Sequence, residues 1–266
     1  MTKRAFALAA LAFVMPGCRG STQSVDGRSN FVEDGVVKDA PDVWMGERIE
    51  VVNAGVTPTG GLALTTPGTD RVHATARMLA IADTQDKPSA DRAILSATQT
   101  YDVKTNSGVT TVACGHGMTF GSANGIDSGC DALDVIVPSG DAMKHLSVAA
   151  QSGNGKVVVT LDTGVVLGEL DVHANHGFVD VSVPATPGAV ITVVSETGDD
   201  ITLHLPRDFA SDAVVVDTAA DKIDTGDFPD VQSGKARGNK GAGAKSISLR
   251  SGIAGGLRGR IALVAQ

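Results

Sequence analysis

The sequence predicts an all-β fold, a β-solenoid (parallel β-helix) with coils of roughly 22 residues, and three observations carry that reading. First, strand ends recur: "VIVP", "VSVP", "LHLP" and "DFP" close at Pro138, Pro184, Pro206 and Pro229, spaced 46, 22 and 23 residues apart. The longest gap holds "VTLD", ending at Asp162, and so covers two intervals. Proline suits a strand end because it has no N–H to donate to a continuing ladder. Second, apolar triplets keep one offset from the turns. Seven, five and three residues ahead of Gly153, Gly177, Gly198, Asp221 and Ala254 stand Leu146/Val148/Ala150, Leu170/Val172/Ala174, Ile191/Val193/Ser195, Val214/Val216/Thr218 and Ile247/Leu249/Ser251. Side chains spaced by two along a strand share one face. Third, aromatics make up only 3% of 266 residues that include 32 glycines, so Val, Ile, Leu and Ala must fill a narrow, regular core.

A coil this short cannot bury its own apolar face. Stacking coils at the interstrand spacing of about 4.8 Å buries it and lines the triplets up as interior ladders. A β-sandwich is the alternative, since it also alternates strands and turns, but it does not demand a constant offset from turn to triplet.

From the N-terminus, residues 1–17 form a signal peptide: Lys3 and Arg4, an apolar run Ala5–Met15 too short to span a bilayer, then Pro16-Gly17. Cys18 follows directly, the layout of a bacterial lipoprotein signal in which that cysteine is acylated. Residues 18–40 then hold the lipidated Cys18 and a flexible tether. Residues 41–131 are N-terminal strands and a disulfide loop. Ile49, Val51 and Asn53 start a first coil, "DRVHATARMLAIAD" and "TYDVKTNSGVTTVAC" continue as strands, and Asp83–Arg92 is a surface loop between them. Residues 132–266 are the regular repeats, interrupted by a protruding loop at 222–245.

Export leaves Cys114 and Cys130 in an oxidising compartment, where an isolated pair forms a disulfide worth about 3 kcal/mol in the chain-entropy model. A metal reading of Cys114, His116 and Cys130 lacks a fourth ligand.

The net charge of −8 argues against nucleic acid as a partner. The charge is uneven, because Val231–Gln266 contains no acid. Lys235, Arg237, Lys240 and Lys245 are therefore candidates for contact with an anionic ligand, and Arg250, Arg258 and Arg260 extend the same basic segment.

The acids of "SETGDDITLHLP" raise the question of catalysis. Asp199 and Asp200 follow Gly198, where Asp favours a turn through hydrogen bonds to backbone. Equivalent places in other coils hold Lys156, Phe178 and Lys222, so no carboxylate ladder forms. A glycosidase needs two carboxyls facing across a cleft. His173, His176 and His204 read as surface side chains, and "GNKGAGAKS" misses a phosphate loop because Ala244 separates Gly243 from Lys245. No catalytic residue, metal site or cofactor is expected.

The stretches "ALDVIVPSGDAMKHLSVAAQSGNGKVVV", "ELDVHANHGFVDVSVP", "VITVVSETGDDITLHLPRDFASDAVVVDTAADKI" and "GAGAKSISLRSG" resemble the bacterial putative-adhesin family, also described as putative autotransporter adhesin or head-GIN-type domains. The resemblance covers about half the chain clearly and implies a right-handed β-solenoid displayed at the cell envelope, with no established catalytic residues. Asp221 and Ala254 stand where the family's turns have glycine. The expectation is a non-enzymatic envelope lipoprotein, outer-membrane-anchored through its lipid. It would act as an adhesin or binding scaffold for an envelope protein, a glycan, or another copy of itself through its end coils. A carbohydrate-active solenoid enzyme and a purely structural spacer are the rivals.

Overall fold

The computed structural model of the chain describes residues 23–25, 28–45, 47–66, 68, 70–82, 87–117, 126–139, 146–184, 188–207, 209, 214–225, 228, 246–252 and 256–266. In chain order the strands are β1 (Gln23–Val25), β2 (Arg28–Asp39), β3 (Arg48–Asn53), β4 (Gly61–Thr65) and β5 (His73–Ala82). Helix α1 (Lys87–Thr100) follows, then β6 (Asp102–Asn106), β7 (Val109–Cys114), β8 (Asp127–Ile136), β9 (Leu146–Ser152) and β10 (Lys156–Thr160). The remainder are β11 (Leu167–Ala174), β12 (Val179–Ser182), β13 (Val190–Ser195), β14 (Ile201–Leu205), β15 (Val214–Asp217), β16 (Ile223–Asp224), β17 (Ser246–Ser251) and β18 (Ile261–Ala265). The fold is all-β, in two mixed sheets, neither of them closed.

From β9 onward each strand lies in the opposite sheet from the one before it. The ten-stranded sheet runs β1-β2-β5-β8-β4-β10-β12-β14-β18-β16, and the eight-stranded sheet runs β15-β17-β13-β11-β9-β3-β7-β6. Pairing within this half is parallel. Period-two alternation then does what the composition requires. In the eight-stranded sheet Val216, Leu249, Val193, Val172, Ala150, Val51 and Val112 stand in register, one per strand. Opposite them run Ile261, Ile201, Val179, Val157, Leu62 and Leu133. All of these side chains are buried, in one continuous apolar cluster. Each buried Val, Leu or Ile contributes roughly 1.5–3 kcal/mol relative to exposure.

Several expectations need correction. Ser152, not Ala150, stands beside Ala174, so the β9 triplet in register is Val148/Ala150/Ser152. The β9–β10 connection has three residues against four and five in the next two, so β9 runs farther into the corner. A slip of two residues keeps every side chain on its own face. The last strands are also not in chain order: β17 sits between β13 and β15, and β18 between β14 and β16. The six-residue β17 and five-residue β18 gain most from pairing on both sides, which leaves the four-residue β15 and two-residue β16 as short edges that template little further pairing.

The N-terminal half differs more. The tether expected over residues 18–40 is, from Arg28 to Asp39, strand β2, antiparallel to β5 and anchored by buried Phe31. Its polar outer residues hide it, because a strand with one wet face needs few apolar anchors. The surface loop expected over Asp83–Arg92 is helical from Lys87. Pro88 fits the first turn of that helix, where no N–H is needed. Ala90, Ala93 and Ala97 with Ile94 form the buried stripe, which lets α1 lie close against β5, β8 and β2 and fill the core between the sheets. The loop expected at 222–245 opens with a 3-10 turn at Ala220–Lys222 and β16; residues 229–245 lie outside the described residues.

Candidate functional site

Five connections between the sheets lie one above the next at a single corner: β3–β4, β9–β10, β11–β12, β13–β14 and β17–β18. The inner three are short, with three, four and five residues, whereas the outer two have seven and nine. The long turns stand at either end and the short ones between them. The result is a saddle of about 760 Å³ lined by Pro58, Asn154, His176, Gly177, Thr197, Asp199 and Leu257, with every one of the five turns contributing. At about 4.8 Å per strand, the distance from the first turn to the fifth is about 19 Å.

At its glycines the floor is bare backbone, because the turns pack directly on one another there. Gly177 has φ +111°, and a Cβ there would collide with the carbonyl of Gly155 one turn below. Gly198 has φ +87° and meets the carbonyl of Leu257 in the same way. Both demands, a left-handed backbone and no side chain, single out glycine.

Asp199 and Asp200 form the corner of this stack. The Gly177 N–H donates to Asp199 Oδ2 at 2.7 Å, and the Thr197 hydroxyl donates to the same oxygen at 2.8 Å. The Asp199 N–H donates to Ser195 Oγ at 3.0 Å. Asp200 Oδ1 accepts the Arg260 N–H at 2.7 Å. Each carboxylate therefore joins its own turn to the neighbouring one.

Both walls are braced from behind. On the Pro58 side, Asp131 Oδ1 accepts the N–H and hydroxyl of Thr57 at 3.1 and 2.6 Å. The Asp131 carboxylate is buried, and Arg77 donates to its other oxygen from Nε at 3.1 Å and also from the guanidinium terminus. On the Leu257 side, Thr218 Oγ1 donates to the Gly259 carbonyl at 2.7 Å, Arg258 pairs with Asp217 at 3.0 Å, and Lys222 Nζ donates to the Arg258 carbonyl. Leu257 itself is 75% exposed, the largest exposure among the big apolar side chains described. Beside the floor, Phe178 is 47% exposed, and Lys156 Nζ lies 4.9 Å from its ring centroid.

Cys114 at the end of β7 and Cys130 in β8 are at disulfide-bonding distance, Cα–Cα 5.5 Å, and link the two sheets beyond the Pro58 wall. The three histidines do not converge. His173 lies beside Asp171 at 3.3 Å on the eight-stranded sheet, His204 beside Asp180 at 3.1 Å on the ten-stranded sheet, and His176 on the saddle. Of the basic segment, Arg258 and Arg260 are paired with Asp217 and Asp224. Cys18, Lys235, Arg237, Lys240 and Lys245 lie outside the described residues. The sequence reading missed the saddle, although its signal, short turns between two long ones, is present in the spacing of the strands.

No protein-family model matches the chain, and no curated protein matches it. Among solved structures the chain is similar to a putative cell adhesion protein from Clostridium sporogenes ATCC 15579, with 10% identity and a TM-score of 0.52 over 87% of this chain and 100% of that one. At this identity the likeness is one of fold alone.

Proposed function

We infer that the chain is a non-enzymatic binding module of the cell envelope, a two-sheet β-solenoid that displays a preformed corner saddle to a ligand. The observation that carries this reading is the saddle itself, a continuous concave surface across five turns with both walls held by internal hydrogen bonds. A site braced in this way loses little freedom on binding, so more of its contact energy appears as affinity. Parallel ladders between strands that alternate from sheet to sheet favour the solenoid over a sandwich, whose pairing is antiparallel. Right-handed winding is the expected hand for parallel crossovers. Membership of the adhesin family, anchoring through acylated Cys18 and display from the outer membrane belong to the same proposal; the fold neighbour, a putative cell adhesion protein, supports its adhesive part alone.

The test uses the soluble chain lacking residues 1–22, which keeps β2 whole. Coupled to beads, it should bind isolated envelope fractions or whole cells in a saturable manner that free protein competes away. No saturable binding, or hydrolytic turnover lost in Asp199→Asn/Asp200→Asn, would overturn the reading. Cys18→Ala in the full chain should move the protein from the membrane to the soluble fraction.

A further inference from the structure

We propose that the saddle is a glycan subsite that holds a segment of two or three sugar rings along the stack axis; this rests on the binding-module reading above. The first argument is size. The walls at Pro58 and Leu257 stand about 19 Å apart from turn to turn, and the three short turns between them leave a floor roughly 10–14 Å long. That length is too short for a folded partner and suits a few linked rings.

The second argument is chemistry. The floor offers groups that match hydroxyls rather than a charged ligand. Asp199 is half-buried, and both internal hydrogen bonds to its carboxylate fall on Oδ2, at 2.7 and 2.8 Å. Oδ1 accepts no hydrogen bond among the described residues and is an acceptor left over on the lining of the saddle. Asn154 Oδ1 accepts the Gly155 N–H at 3.0 Å, which leaves its NH₂ as a donor. His176, exposed in the middle turn, offers one donor and one acceptor when neutral. A hydroxyl donates and accepts at once, and this set answers both roles. Arg258 and Arg260 near the far wall already face Asp217 and Asp224, so they do not turn the saddle into an anion site.

The third argument is the ring next to the floor. Phe178 directly follows Gly177 and is the most exposed aromatic among the described residues, in a chain with 3% aromatics. Lys156 lies over one face of the ring and steadies it. Phe178 is one residue from the lining residue Gly177 and does not itself line the saddle; an apolar ring that close to hydroxyl-matching groups suits a sugar, which is apolar on its C–H faces and polar at its edges.

The experiment places the soluble chain lacking residues 1–22 on an array of linear oligosaccharides of one to six rings. The array has three arms: neutral hexoses, N-acetylated hexosamines and uronic acids. The expected result is binding to neutral or N-acetylated oligomers, with affinity rising to two or three rings and level thereafter. His176→Ala, Asn154→Ala and Phe178→Ala should each lower that affinity about tenfold, with unchanged melting temperature as the fold control. Array binding that all three variants retain would overturn the saddle as the site and leave the module intact. Preference for uronic acids would overturn the hydroxyl chemistry. No array binding by a protein that still binds envelope fractions would overturn the glycan assignment alone. Loss of both would remove the binding module and this inference together.

Discussion

Gly177 concentrates the demands of the stack in one position. Its φ of +111° and the adjacent Gly155 carbonyl each forbid a β-carbon. Gly177→Ala is therefore expected to cost about 2–3 kcal/mol through strain and forced separation of two turns, read as a lower denaturant midpoint with unchanged slope. Tyr101 poses the opposite case. It is fully buried, and its hydroxyl has no hydrogen-bond partner among the described residues. Burial pushes its phenol well above its ordinary pKa, the nearby Asp39 charge adds to the shift, and the Lys38 backbone opposes it. Because the folded value exceeds the unfolded one, the stability tied to the neutral phenol is complete below about pH 10 and is lost as pH rises from there toward the folded value. Tyr101→Phe should leave stability at neutral pH unchanged or raised by up to about 1 kcal/mol, and should flatten the fall between pH 10 and 12 in urea unfolding. An equally steep fall in the variant would mean that another group sets the alkaline limit.

Among the elements, the strands of the second half were legible because burial on one face writes a period of two into the sequence. The triplets Leu170/Val172/Ala174 and Ile191/Val193/Ser195 pair residue for residue as that pattern requires. Helix α1 was not legible. Its buried stripe is Ala90, Ala93 and Ala97 with one large member, Ile94, while Leu95 is 58% exposed, so apolar periodicity pointed nowhere. The small side chains are what allow the close approach to β5 and β8. Ala93→Leu should overpack that contact and cost about 1–3 kcal/mol, whereas Leu95→Gln should change the melting temperature little. Equal effects from the two substitutions would contradict the packing of α1. β2 escaped notice for a related reason: only Phe31 and Ala40 are buried along residues 31–40, too few to signal a strand beside a run of Glu, Asp and Lys.

At the scale of the molecule, each end of the core meets a different closure. At one end α1 fills the space between the sheets and the Cys114–Cys130 bond ties β7 to β8; at the other, short β15 and β16 finish the ladders. The bond closes a separation of 16 residues, for which chain entropy gives about 3 kcal/mol. Reduction under native conditions should lower the melting temperature, and hydrogen exchange should rise first in β6, β7 and α1 while β11–β14 stay protected. Uniform loss of protection would show instead that the bond supports the whole stack.

Inward faces, turn glycines, the cysteine pair and the corner role of Asp199 and Asp200 were determined by the sequence alone, because each follows from local geometry or from a repeat that neighbouring residues enforce. The order of the last strands, the register of β9, the helix at the core's end and the saddle were decided only in the tertiary structure. These depend on which strands bury most when paired on both sides and on how turns of unequal length stand beside one another, and both are relations between segments far apart in the chain.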